Sequence, residues 1–163
     1  SLTQINHGGS QESNFRGGTQ NHMGAQAFAH ALRHHQEHLV RYTTYFTELM
    51  DHLLRRLTPM PGIQINRGGK NYTPNIVNCS FQRIDGEALF IRLDMKNLAV
   101  SNGSACSSGS QAPSHVLTAL GFTESLAQAS LRISLGIQTT KQEIDGFCDE
   151  LEQIILSIQR DLP

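Results

Sequence analysis

The chain has 163 residues, 38% of them hydrophobic and 17% charged, with a formal net charge of -1. That size and composition suit one soluble globular domain with its own core, and a charge so near zero gives no electrostatic case for a nucleic-acid partner. No apolar run approaches the roughly 20 residues that span a bilayer. Ser1-Leu2-Thr3-Gln4 lacks the basic-then-apolar order of a secretory signal, so a cytoplasmic protein is expected, and an opening Ser in place of Met is expected of a chain whose start lies upstream.

Residues 1–19 are rich in Gly, Ser, Asn and Gln and read as loop. From Gln20 a helical pattern runs to about Leu57. Phe28, Leu32, His35, Leu39, Tyr42, Phe46, Leu49 and Leu53 alternate steps of four and three and form one apolar stripe. Pro59 and Pro61 end it. Gly62–Asn66 and Asn75–Phe81 read as strands on either side of a Gly68-Gly69-Lys70-Asn71 turn. Asp85 is placed to cap a helix reaching about Leu93, and Leu98–Ser101 is a third strand candidate.

The run from Asn102 to Ser110 consists almost wholly of small residues that cannot pack a core, so a mobile surface loop is expected. Pro113 suits the first turn of a short helix, His115–Leu120, closed by Gly121. Ser130–Leu135 alternates as a strand. Thr140 with Glu143 three residues on forms a capping box for a last helix, whose apolar face is Ile144, Phe147, Cys148, Leu151, Ile154, Ile155 and Ile158. This order of elements predicts a two-layer α/β sandwich.

Chemistry concentrates at a few places. The cysteines are Cys79, Cys106 and Cys148, an odd count at wide spacing that predicts no disulfide framework and favours a reducing compartment. Cys79 in an apolar strand and Cys148 on an apolar helix face read as packing residues. Cys106 has small polar neighbours on a Ser/Gly loop. It is either an accidental surface thiol or a nucleophile whose loop lets it swing between two positions. Gly8-Gly9 and Arg16-Gly17-Gly18-Thr19 stand at the mouth of the long helix, as a phosphate site would, or as an ordinary Gly-rich turn with Thr19 as the helix cap. Arg132 shares a strand face with Ser130 and Ser134. An arginine there suits a carboxylate ligand, and a solvated sheet face explains it equally well. His30, His34 and His38 follow one another at steps of four, away from the apolar stripe and without a carboxylate, so they read as solvated and no metal site is expected.

These residues resemble a known family. His7-Gly8-Gly9-Ser10-Gln11-Glu12 followed by Arg16-Gly17-Gly18-Thr19-Gln20-Asn21 is similar to the His-Gly-Gly-x-Gln-Glu and Arg-x-Gly-Thr-x-Asn segments of cysteine desulfurases. Pro74-Asn75-Ile76-Val77-Asn78 resembles their Pro-Asn-x-x-Asn strand, and Ser101–Gly109 their active-cysteine loop, in the long form of the NifS/IscS type. Pro113-Ser114-His115-Val116-Leu117 and Leu131-Arg132-Ile133-Ser134 follow in the family order. Ser10, Gly17 and Gln20 are small departures.

The resemblance implies the C-terminal small domain of the fold-type-I transferase fold, which depends on pyridoxal 5'-phosphate. Residues 1–20 would be the tail of the large cofactor domain, and residues 21–163 the linking helix and the small domain. It implies a homodimer in which Thr19 reaches the cofactor phosphate of the partner subunit. Cys106 would take sulfur from L-cysteine as a persulfide, leaving L-alanine, and Arg132 and Asn75 would bind the substrate. A sulfur acceptor or scaffold protein of iron-sulfur cluster assembly would be the other partner. The family's cofactor lysine follows a Ser-x-His motif ahead of the position of His7. None of Lys70, Lys96 and Lys141 has that context, so activity is expected only together with an N-terminal part that carries it. Two alternatives stay open: a persulfide carrier that works without the cofactor, and a non-catalytic small-domain interaction module.

Overall fold

The structure, a computed structural model, describes residues 3–67, 72–102 and 113–161. It divides into two compact units, residues 1–40 and 41–163, and helix α1, His22–Leu57, runs through the boundary.

In the first unit a 3-10 turn, Gln11–Asn14, brings two glycine pairs together. The Gly17 N–H donates to the Asn6 carbonyl at 2.9 Å and the Gly18 N–H to Gln11 Oε1 at 3.2 Å. A Cβ at Gly17 would lie 2.7 Å from Gly8 Cα, so backbone packs directly on backbone here and only glycine fits. Glu12, Ser13 and Asn14 hold left-handed backbone, with φ of 50°, 54° and 69°. Thr19 does not cap α1, contrary to the sequence reading. The helix starts two residues later than expected, and Asn21 caps it by accepting from the Gly24 N–H at 2.8 Å. Asn21 stands directly before the first helical residue and so meets the free amides of the first turn, whereas Thr19 lies outside their reach in sequence. Along this part of α1 the apolar stripe is open: Phe28 is 72% exposed, Leu32 48% and Leu39 47%.

The second unit is the predicted sandwich. Strands β1 (Ile63–Ile65), β2 (Ile76–Phe81), β3 (Ser101–Asn102) and β4 (Ser130–Ser134) form an antiparallel sheet in the order β1-β2-β4-β3. One sheet face carries Val77, Cys79, Phe81, Leu131 and Ile133, all buried. They share a core with Leu49, Met50, Leu53 and Leu57 of α1, Leu89 and Leu93 of α2 (Gly86–Met95), and the apolar face of α5 (Lys141–Asp161). Burying so many aliphatic side chains, each worth about 1.5–3 kcal/mol, is the main force holding the two layers together.

The caps are largely as read. Asp85 accepts from the Glu87 and Ala88 amides at the start of α2. Thr140 and Glu143 close a reciprocal capping box at α5, the Thr140 N–H donating to Glu143 Oε2 at 2.8 Å and the Glu143 N–H to Thr140 Oγ1 at 3.2 Å. Gly121 ends the short helix α3 (His115–Ala119) with a φ of 87°.

Two further readings are corrected, and one element is new. The third strand does not begin at Leu98, because Leu98 is spent ending α2. With Asn97 left-handed at φ 58°, the Leu98 N–H donates to the Leu93 carbonyl and the Asn97 N–H to the Asp94 carbonyl, a Schellman closure. Pro113 precedes the N-cap Ser114 and so stands outside the first turn of α3. An unforeseen one-turn helix, α4 (Glu124–Gln128), is capped by Thr123 Oγ1, which accepts from the Leu126 N–H at 3.4 Å.

Candidate functional site

The second face of the sheet is polar, and its residues come from strands far apart in sequence. Arg132 sits on the inner strand β4, with Asn78 of β2 opposite it on one side and Ser101 of β3 on the other. Antiparallel partners project on the same face about 5 Å apart, so the three side chains form one row. Arg132 Nη2 donates to Ser101 Oγ at 3.2 Å. Just past β1, Asn66 Nδ2 donates to Asn78 Oδ1 at 2.6 Å and to Ser80 Oγ at 2.7 Å. The Asn66 N–H also donates to the Asn78 carbonyl, which fixes that end of the row.

Arg132 is half-buried, and among the described residues no carboxylate lies within ion-pair range of it. Its guanidinium is held by a neutral oxygen and keeps its charge and most of its donors for a further acceptor. A planar fork of this kind suits a carboxylate.

Asn75 stands at the far end of the same strand pair. Its Nδ2 donates to the Leu135 carbonyl at 3.4 Å, and the Leu135 N–H donates to the Asn75 carbonyl at 2.8 Å. The pair clamps the sheet where β2 begins and β4 ends. Thr19 is exposed in the first unit, directly after Gly18, whose φ of 97° turns the backbone there. Cys106 lies outside the described residues, in the segment that follows directly on β3.

The other two cysteines are free and buried. Burial pushes the Cys79 thiol up to about 12 and the Cys148 thiol up to about 11. Both stay protonated at neutral pH and are inert as nucleophiles. His30 and His34 are exposed and His38 is half-buried, its ring 4.3 Å from that of His34 and its Nδ1 2.8 Å from the His34 carbonyl oxygen. No helix of the described residues is long and apolar enough to cross a membrane.

The sequence reading did not pick out Ser101, Asn78 or Asn66 as site residues. Asn78 closes the Pro-Asn-x-x-Asn segment, which was a signal. Ser101 opens the active-cysteine segment, also a signal, though its pairing with Arg132 and the part played by Asn66 become visible only once the strand register is known.

Residues 2–147 match the aminotransferase class-V family, and the chain belongs to it. It is 39% identical over 150 residues to the cysteine desulfurase IscS of Dictyoglomus turgidum, covering 91% of this chain and 38% of that protein. The X-ray structure of a NifS-like protein from Rickettsia africae superposes with a TM-score of 0.80 at 28% identity, over 95% of this chain and 40% of that one. SspA in complex with cysteine matches with a TM-score of 0.52 at 27% identity, over 82% of this chain and 35% of that one. The chain thus spans well under half the length of the relatives it matches, and the NifS/IscS resemblance read from its motifs is borne out.

Proposed function

We propose that the protein is the small-domain part of a cysteine desulfurase, in which Arg132 binds the carboxylate of L-cysteine and Cys106 receives its sulfur. Arg132 carries this reading: it is a charged fork without a described carboxylate partner, on the strand paired with β3, and β3 leads straight into the Cys106 segment. A relative captured with cysteine supports the substrate. Residues 1–20 are read as the end of the cofactor domain, and residues 21–163 as the linking helix and small domain.

The family implies pyridoxal 5'-phosphate, and the first unit fits one corner of it. Exposed Thr19 and Arg16, beside the packed glycines and close to the helix start, suit a phosphate. That phosphate belongs to the cofactor of a partner subunit, and the enzyme is a cytoplasmic homodimer. Lys96 is engaged with Glu150 at 3.0 Å, and nothing in this chain is assigned to the cofactor's lysine. When bound, the cofactor supplies an electron sink that weakens bonds of the amino acid.

This chain's own residues do the rest. Arg132 orients the substrate by its carboxylate. The Cys106 thiolate attacks the substrate sulfur, forming an S–S bond as the C–S bond breaks. The electron pair of the broken bond stays on the three-carbon fragment, which takes up protons and leaves as alanine. The persulfide passes to an acceptor thiol, as iron-sulfur cluster assembly requires.

The test is Cys106→Ser in the full-length, cofactor-loaded protein. It is expected to keep cofactor absorbance and L-cysteine binding while losing alanine and persulfide formation. Full turnover by this variant overturns the reading. Persulfide uptake by protein that holds no cofactor and makes no alanine points instead to a carrier.

A further inference from the structure

We infer that Ser101 is a positioning residue for the substrate carboxylate: its hydroxyl fixes the Arg132 guanidinium in the orientation that receives the ligand. The inference rests on the function proposed for Arg132 and adds a residue to it.

Three observations carry it. Ser101 and Arg132 are register partners across β3 and β4, so their side chains rise from the same face as neighbours. Ser101 Oγ accepts from Arg132 Nη2 at 3.2 Å, the one hydrogen bond described for that guanidinium. The acceptor is also neutral. A free arginine side chain samples many rotamers, and a ligand that must freeze it loses affinity. An aspartate at this place would hold the arginine more firmly but would compete with the incoming carboxylate for the same charge. A hydroxyl takes one N–H, leaves the charge uncompensated, and leaves the remaining donors of the fork for a bidentate partner. Asn78, opposite on β2, is already engaged by Asn66, so among the described residues the arginine is tethered only on the β3 side.

The experiment uses the full-length, cofactor-loaded enzyme and two ligands: L-alanine, which bears the carboxylate, and ethylamine, which is L-alanine without it. Dissociation constants are read by calorimetry. Ser101→Ala is expected to weaken L-alanine about three- to tenfold, the range of one ordinary hydrogen bond, and to leave ethylamine unchanged. The KM for L-cysteine should rise by the same factor with little change in kcat, and Ser101→Thr, which keeps the hydroxyl, should restore both. In an Arg132→Lys background, Ser101→Ala should add almost nothing, because the group it positions is gone.

Equal weakening of both ligands by Ser101→Ala would mean a general structural role and would overturn the inference. So would unchanged L-alanine binding, or failure of Ser101→Thr to rescue. Arg132→Ala separates the two levels. If it weakens L-alanine while Ser101→Ala does not, only the inference fails. If Arg132→Ala leaves L-alanine binding intact, the carboxylate site itself is wrong, and the proposed function loses its main support.

Discussion

Cys79 and Leu131 face one another across β2 and β4, and the Cys79 thiol donates to the Leu131 carbonyl at 3.8 Å with both side chains fully buried. The thiol is thereby held inside the core, and burial drives it up to about 12, while Cys148 on α5 rises to about 11 for the same reason. The thiolate is the reactive form of cysteine. Timed alkylation of the native protein at neutral pH, with peptide mapping, should therefore label Cys106 first. Cys79 and Cys148 should react only after denaturant is added. Early labelling of Cys148 would contradict the packing described.

Two glycines should respond to alanine with opposite signs. A Cβ on Gly86, at the start of α2, would lie 2.3 Å from the Gln128 carbonyl oxygen, a backbone atom that cannot rotate away. Gly86→Ala should cost about 1–3 kcal/mol, as overpacking of a tight contact does. Gly146 lies within α5 with nothing inside 4 Å of a built Cβ. Gly146→Ala should stabilise by about 0.5–1 kcal/mol through helix propensity. Urea unfolding checks both, and the midpoints should move in opposite directions at constant slope.

Asp145 on α5 joins two side chains of α1. Its Oδ1 accepts from Arg56 and meets His52 Nε2 at 2.9 Å, while Arg56 also donates to Asp149 at 2.6 Å. The Arg56 guanidinium first, then His52, holds the Asp145 carboxyl below the ordinary carboxylate range. A carboxyl lowered on folding contributes stability that is fully present above its unfolded value, about 4. That contribution fades as pH falls through the lower folded value. The stability gap between the native protein and Asp145→Asn should thus be largest near neutrality and close on acidification. A gap that stays constant to well below pH 4 would show that the carboxylate charge is not what the clasp uses.

What could be read in advance was local. The Thr140–Glu143 box, the Asp85 cap and the buried face of α5 each depend on residues within a few turns of one another, and each is as expected. Where two local devices compete, spacing alone does not choose. Leu98 could have begun a strand, but Asn97 accepts left-handed backbone and turns it into a helix closure. Thr19 and Asn21 both suit a cap, and the starting point of α1 decides between them. The Phe28–Leu39 stripe was legible as a pattern, yet no pattern says which part of a long helix is covered. The polar row was least accessible. Arg132, Ser101 and Asn78 meet through antiparallel registers of three strands, and the loops between those strands hide the pairing from any short-range rule.

Arg132→Lys tests whether the fork itself matters. Lysine keeps the positive charge and much of the reach, but it presents a compact point charge in place of a plane with parallel N–H groups. At a solvated sheet face the exchange should be silent, since the half-buried side chain lies on the face away from the core. At a carboxylate site it removes a charged, geometrically matched pair, and the loss of one charge-assisted hydrogen bond is worth roughly 1.5–3 kcal/mol. That corresponds to about one to two decades in kcat/KM for L-cysteine, with the urea midpoint of the protein little changed. Unaltered catalytic efficiency in the full-length enzyme would take Arg132 out of the site and return it to the solvated face.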